Sequence, residues 1–405
     1  MKSTPIIANI TASLSAEMQQ ELHQILAYWV KFTVDETHGG FYGRITEDNV
    51  TDLKADKGGV LNARILWSFA AAYRLQPERS YQMMADRAFT YIKDHLVDAE
   101  YGGVYWSVDY QGIPVETKKQ VYALAFTIYG LSEYDLAFGK QEAKTMAIKL
   151  YNDLIDHSYD QLNGGYFEAF TREWAEVSDL RLSDKDANEK KTMNTHLHVL
   201  EAFTTLYKIW QDDGLKERIA ELLYLFDTYF IDSVTGHMTL FFDENWNKKS
   251  DTISYGHDIE ASWLLLEAAE AIDDVYWIQK MKETAVKMAT AALEGLAGDG
   301  ALGYEYEPGT AHFNKEKHWW VQAEAVVGFI SAWQQNDNPL FLVTAATCWD
   351  FIKDQLLDAQ YGEWYWGRNE SGAIMQNQDK AGLWKCPYHN SRACMEVVRR
   401  LNAVQ

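Results

Sequence analysis

Six short segments of this chain gather histidine, arginine, carboxylate and tryptophan: Asn62 with Arg64; Tyr122; Asn194, His196 and His198; His257, Asp258 and Glu260; His318, Trp319, Trp320 and Glu324; and Trp384, Tyr388, His389 and Arg392. Imidazole, with an ordinary pKa of about 6.5, takes up and returns protons at neutral pH. Arginine is a permanent cation whose forked donors suit a developing oxyanion. An indole face suits the C–H face of a sugar ring. Together these residue types point to proton transfer on a carbohydrate. His257 and Glu260 stand three apart and share a helix face, so the carboxylate is expected to fix the imidazole tautomer or to bind a substrate hydroxyl. His196 and His198 are two apart and face different ways, so only one can reach a common cavity and the other is expected to be structural. Trp319, Trp320 and Trp384 have two readings, core packing or sugar stacking, and the sequence leaves both open.

Metal chemistry is not expected. The chain has no HExxH, no cysteine cluster and no acidic calcium loop, and His198, His257 and His389 would have to meet from three separate helices. Nor does a Gly-rich phosphate loop indicate a nucleotide, so the expected cofactor is none.

The elements that must position these residues follow a repeat. Six turns rich in glycine and aromatics mark it: His38-Gly39-Gly40-Phe41-Tyr42, Tyr101-Gly102-Gly103-Val104-Tyr105, Asn163-Gly164-Gly165-Tyr166-Phe167, Thr235-Gly236-His237-Met238, Gly300-Ala301-Leu302-Gly303-Tyr304 and Tyr361-Gly362-Glu363-Trp364-Tyr365. They recur every ~60 to 70 residues, the mark of a repeat architecture. Between them the apolar period is helical, as in Leu22, Ile25, Leu26 and Trp29, and Ser15 is the expected N-cap of that first helix. Stretches soon after a turn are apolar nearly all round: Val60 to Tyr73, Val121 to Tyr134, Ile259 to Ala271, Val321 to Trp333. The stretches that follow them are striped, as in Tyr81, Met84, Ala85, Ala88 and Phe89. A helix apolar on every side must be buried, and a striped one lies outside it. One helix before the first turn, two between successive turns and one after the last give twelve. The expected fold is all-α, an (α/α)6 barrel of six inner and six outer helices, with the last, His389 to Asn402, closing the ring. An open superhelix would need a polar capping repeat, and none is evident. The turns alternate aromatic and polar residues and are read as short β-hairpins gathered at one end. The functional segments would then converge on one mouth. With no linker or low-complexity tract, residues 1–405 are expected to form a single catalytic domain.

Composition narrows the partners. A formal charge of −22 disfavours nucleic acid and anionic membranes, which call for lysine and arginine clusters. Cys348, Cys386 and Cys394 form no disulfide framework, which fits a reducing cytoplasmic setting, and neither a signal peptide nor a membrane span is evident. The expected state is a monomer acting on a small sugar.

At the functional segments the chain resembles the cellobiose 2-epimerases of the N-acylglucosamine 2-epimerase superfamily. The likeness is carried by Leu61-Asn62-Ala63-Arg64-Ile65-Leu66-Trp67, by Met193-Asn194-Thr195-His196-Leu197-His198-Val199-Leu200-Glu201-Ala202, and by Gly256-His257-Asp258-Ile259-Glu260-Ala261-Ser262-Trp263. It extends to His318-Trp319-Trp320 with Gln322-Ala323-Glu324, and to Trp384-Lys385 with Pro387-Tyr388-His389-Asn390. The resemblance implies reversible epimerisation at C2 of the reducing-end glucose of a β-1,4-linked disaccharide, without metal or nucleotide. It implies His257 and His389 as the acid/base pair and Arg64 and His198 as enediolate stabilisers. It implies Tyr122, Asp186, Asn194 and Glu260 as hydroxyl ligands, and Trp320 and Trp384 as a disaccharide platform; Glu324 is expected at the same substrate site. Two other activities would use the same mouth: aldose–ketose isomerisation of mannose, and glycoside hydrolysis by carboxylates drawn from Asp186, Asp258, Glu260 and Glu324.

Overall fold

A computed structural model describes residues 5–402. It contains twelve α-helices: α1 (Pro5–Phe32), α2 (Gly59–Leu75), α3 (Arg79–Tyr91), α4 (Val121–Phe138), α5 (Gln141–Ser158), α6 (Met193–Ile209), α7 (Asp213–Leu225), α8 (Tyr255–Ala271), α9 (Val275–Ala292), α10 (Trp319–Asn336), α11 (Pro339–Gln355) and α12 (Tyr388–Asn402). The even-numbered helices pack side by side in sequence, and α12 packs on α2, so the ring is closed and the open superhelix is excluded. The odd-numbered helices lie outside. On α4 every residue from Val121 to Tyr134 is buried, whereas α3 buries only its stripe of Tyr81, Met84, Ala85, Ala88, Phe89 and Tyr91. Two glycines set how closely the inner helices approach. A Cβ on Gly130 would stand 2.6 Å from the Ala63 carbonyl oxygen, and one on Gly328 would stand 2.6 Å from that of Ile259.

Ser15 does not start α1. The helix is already formed at Pro5 and runs through Thr11, whose hydroxyl bonds back to the Ile7 carbonyl at 3.1 Å. Such back-bonding satisfies the Thr11 hydroxyl inside the helix. Ser15 instead faces Asn402 at 3.2 Å, helping to lay α12 on α1.

The turns are hairpin-like, but their main pairing is between repeats. Each turn closes on itself with one bridge, from Val34↔Phe41 through to Leu357↔Trp364. The two or three residues that enter each inner helix then pair antiparallel with the strand that follows the next outer helix. Lys57–Gly58 joins Ser107–Val108, Lys119–Gln120 joins Ala169–Phe170, and Lys191–Thr192 joins Phe241–Phe242. The last such strand, Asp379–Ala381, pairs with the first, Arg44–Thr46, and so closes the ring a second time. Buried ion pairs fasten the same end: Lys57–Asp35 at 2.8 Å, Lys119–Asp98 at 2.8 Å, Lys191–Asp160 at 2.7 Å, and Lys380–Asp358. The turn aspartates also accept backbone amides two and three residues on, as Asp160 does from Leu162 and Asn163. These lysines and aspartates hold the strands that deliver the functional residues.

Candidate active site

The first turns of the inner helices bring the predicted residues to the strand-bearing end of the barrel. Three of the five histidines share one neighbourhood. Trp320, on α10, lies 4.8 Å from the His257 ring and 5.7 Å from the His389 ring. His198 meets Tyr122 edge-on at 5.1 Å. The other two histidines are structural. His196 Nε2 accepts the Tyr166 amide at 2.9 Å while its Nδ1–H donates to the Thr192 carbonyl at 2.7 Å. His318 stacks on Tyr304 at 4.0 Å and pairs with Glu316 at 2.9 Å. Trp319 is likewise core, buried against Trp366 at 4.5 Å.

Arg64, on the second turn of α2, donates to the Tyr122 hydroxyl at 2.7 Å. Its guanidinium lies 4.1 Å over Phe126 and 4.9 Å over Tyr388, beside the Cys386 thiol. Among the described residues no carboxylate lies within ion-pair distance of it, and its Nε has no partner. It is thus a buried cation with no carboxylate at ion-pair distance, its charge favoured by the surrounding phenols, the Cys386 thiol and Glu260 despite burial. Asn194, half-buried at the start of α6, leaves its Oδ1 unpaired.

Behind the imidazoles stands a hub that the sequence reading did not identify. Arg392, 1% exposed, lies one turn after His389 on α12. Its guanidinium bonds Glu201, and it bonds Glu260 and Glu324 at 2.6 Å each. Glu201 in turn accepts His198 Nδ1–H at 2.9 Å and the Tyr388 hydroxyl. Glu324 accepts His389 Nδ1–H at 2.8 Å and the Trp263 indole at 3.2 Å. Two imidazoles therefore have their tautomers fixed by carboxylates that share one arginine. The expected pairing of His257 with Glu260 does not form, because Arg392 takes Glu260. The His-x-x-Glu spacing acts instead at His198 and Glu201, where it stands equally plainly in the sequence.

Electrostatics follow from burial. Desolvation pushes His257 down to about 3 and lowers His198 and His389 as well, with Arg64 and Arg392 adding to the effect on the last two. All three rings are therefore neutral at neutral pH. Burial also raises Glu201, but Arg392 and His198 outweigh it and hold the carboxyl down to about 2. Glu260 is pushed up to about 8 by burial and by its neighbour Glu324. Glu260, Glu324 and His389 place possible metal-ligand atoms within 4.8 Å of one another. Arg392 already bonds both carboxylates, so a cation of the protein fills that position.

Asp186 makes its hydrogen bonds outside this group. It sits in the rim loop between Phe170 and Lys191, where it accepts the Ser183 amide at 2.8 Å and hydroxyl at 2.9 Å. The loop is pinned to the strand entering α4 by Gln120, which donates to the Arg181 carbonyl at 2.9 Å. Trp384 and Trp320 have different aromatic neighbours. Trp384 keeps to Trp106 at 5.7 Å and Tyr122 at 6.0 Å, whereas Trp320 belongs with the histidines and Tyr304. A separate hollow of about 560 Å³ between the rim loop and Glu244 is lined by Glu176, Glu189 and Lys190 and contains no imidazole.

Residues 39–393 match the N-acylglucosamine 2-epimerase family. The chain belongs to that family. It is 50% identical to a cellobiose 2-epimerase of Bacteroides fragilis, over 95% of this chain and 98% of the relative. It superposes with a TM-score of 0.91 on the structure of a cellobiose 2-epimerase from Bacillus thermoamylovorans, 38% identical, covering 96% of this chain and 100% of that one. A D-mannose isomerase structure, 21% identical with a TM-score of 0.81 over 95% and 97% of the two chains, shares the fold. Membership of the N-acylglucosamine 2-epimerase family accounts for the closed barrel and for an isomerase rather than a hydrolase.

Proposed function

We propose that this barrel reversibly epimerises C2 of the reducing-end glucose of a β-1,4-linked disaccharide, converting cellobiose to glucosyl-mannose and lactose to epilactose. The observation that carries this reading is Arg64, a buried cation without a carboxylate partner beside three neutral imidazoles. Identity of 50% and 38% to two cellobiose 2-epimerases, over 95% and 96% of this chain, supports the substrate class.

In this reading the sugar ring opens and the C2 proton becomes acidic beside the aldehyde. A neutral imidazole accepts that proton, the C–H electrons enter an enediolate, and Arg64 with His198 meets the developing charge. Epimerisation requires a proton to return to the opposite face of C2, a task for the second of His257 and His389. Tyr122, Asn194, Asp186 and Glu260 hold hydroxyls. Trp320 supports the reacting ring and Trp384 the second ring.

Hydrolysis is disfavoured by the commitments of the acids. Glu260 and Glu324 are bridged by Arg392, and Asp258 accepts His237 at 2.7 Å and the Met238 amide at 2.9 Å. Incubation with cellobiose, lactose and mannose in heavy water, followed by NMR, tests the reading. Epimers carrying deuterium at C2 are expected. Ketose as the main product would make the enzyme an aldose–ketose isomerase, and free monosaccharide released from cellobiose would make it a glycosidase.

A further inference from the structure

His257 is the one imidazole of the three without a carboxylate at Nδ1. Its Nδ1 lies 2.8 Å from the hydroxyl oxygen of Ser254, which is 1% exposed. Ser254 occupies the N-cap of α8, with extended backbone (φ −112, ψ 99), yet its side chain makes no capping bond. The equivalent residue of the preceding repeat behaves differently. Thr192 caps α6 by accepting the Thr195 amide at 3.1 Å. His257 occupies the position in α8 that Thr195 occupies in α6, three residues after the cap. A serine at an N-cap ordinarily accepts that amide; here the hydroxyl is directed to the side chain of the same residue. Gly256 completes the arrangement from the other side. A Cβ there would stand 2.6 Å from the Trp320 ring, so its absence lets Trp320 close on the imidazole.

We propose that Ser254 is the positioning residue of His257, a hydroxyl withdrawn from capping that orients the imidazole and supports either of its tautomers. A carboxylate only accepts, and so holds His198 and His389 with the proton on Nδ1. A hydroxyl both donates and accepts. When Ser254 donates to Nδ1, Nε2 carries the proton; when it accepts from Nδ1–H, Nε2 has a free lone pair. As a base, His257 forms an Nε2–H bond with the C2 proton while Nδ1–H donates to Ser254, and the C–H electron pair stays with the enediolate. As an acid it reverses those steps. The inference rests on His257 being one of the two proton carriers proposed above.

The test compares Ser254→Ala and Ser254→Thr with the parent enzyme. Loss of the group orienting a functional histidine typically costs about 10- to 100-fold. For Ser254→Ala, kcat is expected to fall about tenfold or more, KM to stay within about twofold, and Thr to restore most of the rate. A second readout is C2 deuterium in product and in recovered substrate, measured in heavy water in both directions. Slowing only His257 favours return to substrate when His257 delivers the product-forming proton, and favours product when it is the abstracting base. The partition should therefore move in opposite senses in the two directions. A merely structural lesion lowers both rates and leaves the partition alone, and that result overturns the proposal. Side-chain ¹⁵N NMR of the histidines needs no turnover. The His257 signals should report both tautomers in the parent and one in Ser254→Ala; unmoved signals overturn the positioning role. Absence of epimer with the parent enzyme would overturn the functional reading instead.

Discussion

Replacing Arg64 with methionine should separate activity from stability. The side chain is buried, its nearest neighbours are the faces of Phe126 and Tyr388, and its hydrogen-bond partner is the Tyr122 hydroxyl. Three terms decide the stability. The charged hydrogen bond contributes about 1.5–3 kcal/mol, and a desolvated cation–π contact contributes about 2 kcal/mol. Against them stands the cost of keeping a cation out of water, several kcal/mol for an ion with no carboxylate in contact. Methionine has a similar length, no charge and a soft sulfur suited to aromatic neighbours. The terms nearly cancel, so folding stability should change by no more than about 2 kcal/mol in either direction. The thermal midpoint should therefore move by only about 5 °C or less. Catalysis has no such compensation. Loss of one oxyanion donor costs about 10² to 10³ in kcat, and here the permanent charge goes with it. The assay is initial rates of epimer formation from cellobiose by NMR, beside thermal unfolding of the same preparations. A variant that keeps more than about a tenth of the parent kcat refutes the role given to Arg64. One that loses activity only because it unfolds refutes the claim that the cation is held there for chemistry.

His257→Ala and His389→Ala should each lower kcat by about 10² to 10⁴ with the fold intact by circular dichroism; retention of a tenth of the rate removes that residue from the proton path. Trp384→Ala should raise KM for cellobiose or lactose several-fold but leave that for mannose little changed, since a stacked aromatic contributes on the order of 1 kcal/mol; equal losses on both would place Trp384 at the reacting ring. Acid stability follows from the lowered pKa of His196 and His257, each pushed down to about 3 by burial. The unfolded chain binds protons at these rings from about pH 6.5 downward and the folded chain does not, so stability is full above that pH and is lost as pH falls toward about 3. Ring NMR of the folded chain between pH 8 and pH 4 isolates these two rings from the buried carboxylates, which titrate with the opposite sign: His196 and His257 should stay neutral throughout, and either ring titrating near 6.5 would show that burial does not hold it neutral.

The turn repeat and the apolar periodicity determined the helix count and the inner and outer classes, and made a closed barrel the expected packing. They did so because a helix apolar on all sides, such as α4, has no stable place except inside. The residue types at the inner-helix starts pointed to proton transfer on a sugar, since imidazole, arginine and indole together suit that chemistry. Only the tertiary structure decided the partnerships. His257 and Glu260 share a face in the sequence, yet Arg392 takes the glutamate and Ser254 takes the histidine. Local spacing says which groups can meet along one helix. It does not reveal a cation arriving from α12, whose position depends on closure of the whole ring. The same reason hid the strand pairing between repeats: Asp379–Ala381 meets Arg44–Thr46 only because twelve helices return the chain to its beginning.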